Sequence, residues 1–168
     1  MAHKIILDCD PGADDAWALY FALAHPELDL LAVTTTFGAL TVAQATRNAL
    51  LLCALAGRPN LPVCSGVATP TRKATWWHDP EAFGTDGLGD LPRRSPEAHG
   101  ADERSAARCI VELAHTHPGQ LSLVCAGPLG NLAQALRLEP HLPERLGQLV
   151  VAGGSIQAPG DVSPVAES

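Results

Sequence analysis

Hydrophobic positions along the chain fall into short apolar runs that alternate with longer helix-forming segments, and turn residues separate the two. Lys4–Cys9 (KIILDC) is an apolar run closed by Pro11-Gly12, which predicts a buried strand. Gly12–His25 carries helix formers up to Pro26, with Asp14 and Asp15 in the first turn, where the helix dipole favours acids. Leu28–Phe37 is rich in β-branched residues and closes on Gly38, predicting a second strand. Thr41–Ala56 is a long helical pattern stopped by Gly57 and Pro59, and Leu61–Ser65 reads as a third, short strand.

From Gly66 to Gly100 periodicity fades: Pro70, Trp76-Trp77, Pro80 and the turn-rich Gly84–Gly89 predict a long loop of the kind usually kept for function. Asp102–His117 is an amphipathic helix ending in Pro118-Gly119, Leu121–Ala126 a strand, Leu129–Leu138 a helix, and Leu149–Ala152 a strand running into Gly153-Gly154. Such alternation implies an open, mainly parallel α/β sheet of Rossmann-like type with helices on both faces. No linker or repeat divides residues 1–168, so a single domain is expected. Gly153–Ser168 is polar and loop-like and stops where another strand or helix should follow, which predicts a domain incomplete at its C-terminus.

Composition narrows the partners. With 168 residues, 46% hydrophobic and 17% charged, the chain has the means to build a core. A formal net charge of −7 argues against a nucleic-acid backbone or an anionic membrane, both of which need a basic footprint. No apolar run approaches the ~18 residues of a membrane span. Cys9, Cys53, Cys64, Cys109 and Cys125 lie mostly in apolar runs, an odd number with no C-x-x-C, so they read as buried reduced thiols. Together with an N-terminus that enters a strand directly, they point to the cytoplasm.

The chemistry concentrates at the end of the first strand. Asp8 and Asp10 are two apart and face the same side; after Pro11-Gly12, Asp14 and Asp15 return at a helix N-terminus. Four carboxylates are therefore expected in one crevice at the carboxyl edge of the sheet, where open α/β folds bind ligands. They would raise each other's pKa unless a hard divalent cation joined them, and all-oxygen ligation selects calcium or magnesium. A solvated, helix-capping acidic turn accounts for two of the acids and not for Asp8 and Asp10. A D-x-D after an apolar strand also occurs in haloacid-dehalogenase-like phosphatases, where Asp8 would attack phosphorus with magnesium. Gly12 stands against that pattern, and so do acids only four and five residues downstream.

The wider string Asp8-Cys-Asp-Pro-Gly-Ala-Asp-Asp-Ala-Trp-Ala-Leu19 resembles the D-x-D-P-G-x-D-D-A signature of the inosine–uridine-preferring nucleoside hydrolases. The resemblance continues in order through Thr34–Gly38, Thr46-Arg-Asn48, Gly84–Gly89, Gly127-Pro-Leu-Gly-Asn131, Gly153-Gly154 and Gly160–Glu167. It implies calcium-dependent hydrolysis of the N-glycosidic bond of ribonucleosides to ribose and free base, through an oxocarbenium-like transition state. By the same resemblance, Asp10 is metal ligand and general base, and Asp15 is a metal ligand. Asp14 accepts a bond from a ribose hydroxyl, Asp8 supports the metal cluster, and the Ala126 carbonyl reaches the metal. Asp161 and Glu167 contact the ribose.

Departures from the family pattern are Ala39 for a ribose-binding asparagine, Asp161 for another asparagine, and Phe83 for a histidine. The family also runs further, carrying another metal-binding aspartate and a histidine near the leaving base. An alternative of a different class is a non-catalytic remnant that binds metal or pairs with another chain. Self-association, as a homo-oligomer or through an uncovered sheet, is expected. His115 and His117 read as solvated residues at a helix end, while Trp76, Trp77 and His78 are candidates to stack on a base or to pack a small core under the loop.

Overall fold

The first strand is the middle of the sheet. The computed structural model describes residues 2–70, 83–90 and 100–154. In it β1 (His3–Cys9) pairs in parallel with β2 (Leu28–Thr35) on one side and β4 (Leu121–Cys125) on the other. Beyond them lie β3 (Val63–Ser65) and β5 (Leu146–Val151), giving a five-stranded order β3-β2-β1-β4-β5 in which every pairing is parallel. Leaving β1, the chain builds outward to β2 and β3, then returns to the other side for β4 and β5. The order thus reverses between β1 and β4, and the carboxyl ends of those two strands flank the crevice where such sheets take ligands.

Period-2 alternation explains how β1 is buried on both faces. Ile5, Leu7 and Cys9 pack with Leu19 of α1 (Ala13–Ala24) and with Ala49, Leu52 and Cys53 of α2 (Val42–Leu55). Ile6 points the other way, into a second cluster with Cys109 and Ile110 of α3 (Ala106–Thr116), Leu123, and Leu132 of α4 (Gly130–Leu138). Two helices per face is the cover that a parallel sheet requires. All five cysteines are buried and unpaired within these layers. Among the described residues no helix is long and apolar enough to cross a membrane.

Differences from the sequence reading are local. The predicted helix from Asp102 begins only at Ala106. The Asp102 carboxylate accepts from the Arg104 guanidinium at 2.7 and 2.9 Å and from the Arg104 amide at 2.9 Å, closing a turn, after which Ser105 caps the helix by accepting from the Arg108 amide at 3.3 Å. The last strand starts at Leu146, three residues before Leu149, because Leu146 and Gln148 pair with Leu121 and Ser122 of β4, with Gly147 unpaired at the register shift between them. A four-residue helix α5 (Leu142–Arg145), with Pro143 in its first turn, precedes it.

Candidate active site

Asp8 shares its side of β1 with Ile6 and so faces α4. It is fully buried. Its Oδ1 accepts from Thr34 Oγ1 at 2.6 Å and from Asn131 Nδ2 at 2.7 Å, while Oδ2 has no hydrogen-bond partner among the described residues. Burial pushes the Asp8 carboxyl up to about 6, against the downward pull of those two donors. Asn131 is committed on every side: Nδ2 also donates to the Thr35 carbonyl at 2.9 Å, and Oδ1 accepts from the Val67 amide at 2.9 Å. Gly66 leaves room for that amide, since a Cβ there would overlap Asn131. One side chain therefore fastens α4 to the ends of β1 and β2 and to the segment after β3.

Asp10 lies just past β1, its carboxylate held in a slot between two glycines. A Cβ on Gly38 would overlap the Asp10 carboxylate, and a Cβ on Gly127 would stand 2.7 Å from its Oδ1. These glycines follow the ends of β2 and β4, so the slot is a product of the strand order itself. The Ala39 amide donates to Asp10 Oδ2 at 2.7 Å, and the Asp10 amide donates to Asp15 Oδ2 at 3.0 Å. Burial, then the charge of Asp15, then that of Asp14 push Asp10 up to about 7, with the Ala39 amide opposing. Asp15, in the first turn of α1, is pushed up to about 6 by burial and by Asp14, with the Asp10 amide opposing and Asp8 adding to the rise. Thr36 Oγ1 is a further buried oxygen without a partner among the described residues.

The structure thus brings Asp10 and Asp15 together and sets Asp8 behind them. Asp14 is exposed beside the pair. Ala126 extends β4, its amide donating to the Asp8 carbonyl at 2.8 Å, and stands next to Gly127. Asp10 feels the charges of Asp15 and Asp14, and Asp15 those of Asp14 and Asp8, but among the described residues no group of three or more His, Cys, Asp or Glu side chains closes on one point as a metal shell. The convergence is narrower than the spacing suggests, because Asp8 Oδ1 is turned to Thr34 and Asn131. Complete burial also denies Asp8 the access that a nucleophile attacking phosphorus would need. Asp161, Glu167, Trp76, Trp77 and His78 lie outside the described residues. His115 Nε2 lies 2.8 Å from Glu139 Oε2, away from this cluster.

A hard cation suits the donor set. It is all oxygen, two of its buried oxygens lack donors, and like charges are crowded where the dielectric is low. Residues that the sequence reading placed in motif blocks but gave no role complete the frame. Besides Thr34, Thr36 and Asn131, Asn48 Nδ2 donates to the carbonyls of Pro11 and Asp86, both at 2.8 Å, and its Oδ1 accepts from Gln44 Nε2 at 2.8 Å. It ties the Gly84–Asp90 loop to the turn carrying Asp10, and Leu40 packs against Gly87 where a Cβ would not fit. The available signal was that Asn48 and Asn131 each close one of the motif blocks that carry the family resemblance.

Comparison with known proteins gives a consistent set. A family model described as inosine-uridine preferring nucleoside hydrolase matches residues 5–168. Uridine nucleosidase 1 of Arabidopsis thaliana is 38% identical over 166 residues, and the inosine-uridine preferring nucleoside hydrolase of Crithidia fasciculata is 41% identical over 170 residues. Each match takes in 99% of this chain but only 49% and 53%, respectively, of the relative. A solved plant nucleoside hydrolase superposes with a TM-score of 0.87 at 36% identity, covering 98% of this chain and 52% of that one. The chain spans about half the length of the relatives it matches.

Proposed function

Because the chain belongs to the inosine–uridine-preferring nucleoside hydrolase family, we propose that it supplies the water-activating half of a calcium site that hydrolyses the N-glycosidic bond of ribonucleosides. The observation that carries this reading is the Asp10 carboxylate, wedged between Gly38 and Gly127 beside Asp15 and pushed up to about 7.

Asp10 and Asp15 would hold the cation, with Asp8 Oδ2 and the Ala126 carbonyl as nearby oxygens. When bound, calcium neutralises these carboxylates and orients the water and ribose hydroxyls that meet it. Asp10 takes a proton from the attacking water as the water oxygen bonds to C1′. The C1′–N bond breaks with its electron pair leaving on the base. A bound cation would draw Asp10 down from the raised value it has in the free cluster, keeping it deprotonated to accept that proton at neutral pH. The Ala39 amide fixes one Asp10 oxygen, leaving Oδ1 for the proton. Exposed Asp14 is placed to accept from a ribose hydroxyl, while Asp8, locked by Thr34 and Asn131, sets the floor. Asp161 and Glu167 are proposed as further ribose contacts, and the cytoplasm as the working compartment.

Calorimetric titration tests this directly. Calcium should bind the wild-type chain, and Asp10→Asn and Asp15→Asn should each weaken binding more than tenfold while His115→Ala leaves it unchanged. Ribose release from inosine, uridine and cytidine should fall with Asp10→Asn in any assembly that shows turnover. Equal calcium affinity in wild type and Asp10→Asn would remove the cluster from the metal site.

A further inference from the structure

We propose that Cys64 and Cys109 are a peroxide-responsive pair that closes reversibly into a disulfide, bonding β3 to α3. The nucleoside chemistry proposed above uses neither thiol.

Two elements far apart in the chain bring the pair together. Cys64 is the middle residue of β3, paired with Thr34 of β2 on one side and bridged to Asp102 on the other, where the Asp102 amide donates to the Val63 carbonyl at 2.8 Å. Arg104 then pairs with Asp102 and Ser105 caps α3, so Cys109 stands one turn inside the helix N-terminus. Both cysteines are buried in the same apolar cluster, with Ala107 and Ile110, and the Cys64 thiol donates to the Cys109 sulfur. Closing the bond draws two sulfurs already in contact to about 2.05 Å apart.

The five thiols are not equivalent. Burial pushes Cys53 up to about 11, Cys125 up to about 12 and Cys9 well above its ordinary value. Cys109 goes the other way: the bond from Cys64 and the charge of Arg104 hold it below its ordinary value, against its burial. The thiolate is the form that attacks a peroxide, and a neighbouring cation or a helix N-terminus favours it. Cys109 Sγ gives up its proton and attacks one oxygen of hydrogen peroxide. The O–O bond breaks, and the departing hydroxide takes that proton as water, leaving a sulfenic acid. Cys64 Sγ then attacks the Cys109 sulfur, the S–O bond breaks, and the hydroxide released takes the Cys64 proton as a second water. Two thiols are oxidised to one disulfide and one peroxide is reduced to two waters. The reagent enters by local opening of the turn before α3, where Ala101, Glu103 and Ser105 are exposed. The product closes a chain loop from residue 64 to residue 109 that includes Gly84–Asp90, which Asn48 fastens to the turn carrying Asp10.

The test treats the folded chain with hydrogen peroxide in chelator and maps its peptides without reduction. A Cys64–Cys109 cross-link, two hydrogens lighter than the free peptides, should appear and be reversed by dithiothreitol. Oxidation should raise Tm by at least about 5 °C, because the loop it closes is long, and should slow hydrogen exchange at the amides of Val63–Ser65 and Ala106–Ile110. In Cys64→Ser, dimedone should trap a sulfenic acid at Cys109; in Cys109→Ser, Cys64 should be at least about tenfold less reactive. Cys53→Ser should leave the cross-link unchanged. Three results would overturn the proposal: peroxide that leaves both thiols free in the folded wild-type chain, a cross-link that forms only in urea, or a different pair of cysteines that bonds as fast. A variant that fails to fold changes nothing in the wild-type map. None of these readouts involves calcium or nucleoside, so their failure and that of the hydrolase reading are distinguishable.

Discussion

Asn131→Asp changes almost no volume yet should be among the most damaging substitutions near the site. The amide it removes donates from Nδ2 to Asp8 Oδ1 at 2.7 Å and to the Thr35 carbonyl at 2.9 Å, in a fully buried position. A buried acceptor that loses its donor costs about 1–3 kcal/mol; the Thr35 carbonyl loses the Asn131 donor, and Asp8 Oδ1 is left with Thr34 alone. The new carboxyl also lies against Asp8, and two carboxylates that close cannot both ionise in a buried setting. The sum is about 3–5 kcal/mol, which lowers Tm by about 6–20 °C at about 2–4 °C per kcal/mol for a chain of this size.

The assay is thermal unfolding of wild type and variant in chelator at about pH 5 and about pH 8. Protonation lets the new carboxyl donate to Asp8, so the loss should shrink at the lower pH. A Tm within about 2 °C of wild type at both pH values would mean that Asn131 does not fasten α4 to β1. An equal, large loss at both values would mean that packing, and not charge, sets the effect.

Asp8, Asp10 and Asp15 all have carboxyls raised above their ordinary 3.8, to about 6, 7 and 6. The folded calcium-free chain therefore binds protons more tightly than the unfolded one, and its stability should rise as pH falls from about 7 towards about 4; melting curves in chelator check this, and a stability that rises with pH over that window would refute it. Calcium affinity should run the other way, increasing from about pH 5 to about pH 8 as protons leave the cluster, with the release read by calorimetry in buffers of different ionisation enthalpy. Gly38→Ala should cost about 1–3 kcal/mol by overpacking and weaken calcium binding, because the methyl displaces Asp10 from the Ala39 amide; an unchanged isotherm would remove the glycine slot from the argument. Asn48→Ala should release the Gly84–Asp90 loop and speed its hydrogen exchange while β1 stays protected, whereas uniform change across the sheet would make Asn48 a general core residue.

The strand–helix order was legible because parallel strands buried on both faces are short continuous apolar runs, and Pro-Gly or Gly-Pro punctuation marks their ends. Asp10 and Asp15 were legible for a related reason: acids at the end of such a run have few structural uses. What stayed hidden depends on distant partners. Gly147 and Gln148 do not read as strand; the pairing of Leu146 and Gln148 with β4 makes this stretch one, with Gly147 at the register shift. Asp102 looks like the opening of a helix until its pairing with Arg104 is seen. Asn131 meets Asp8 across 123 residues, a separation that no local pattern reports. The slot around Asp10 needs two glycines from strands that become neighbours of β1 only in the folded sheet.

How the cluster is stabilised says what it is for. No lysine or arginine pairs with Asp8, Asp10 or Asp15 among the described residues; the ion pairs found there join Arg104, Arg108, His115, His141 and Arg145 to acids elsewhere. Among the described residues, the donors that meet the three carboxylates include the Thr34 hydroxyl, the Asn131 amide and the backbone amides of Asp10 and Ala39, all neutral. Neutral dipoles orient a carboxylate without cancelling its charge, so the deprotonated cluster keeps its mutual repulsion. An internal arginine would have removed that strain, and would also have filled the coordination space and fixed the charge balance. Leaving the repulsion in place makes the free site less stable at neutral pH than it could be. On the proposed reading the same repulsion would make it responsive to a divalent cation, whose binding would then be coupled to the stability of β1, α1 and the β4 end together. Replacing one member of the cluster by its amide should accordingly raise the Tm of the calcium-free chain above about pH 7 while weakening calcium binding, and Asp10→Asn is the variant in which both effects should be largest.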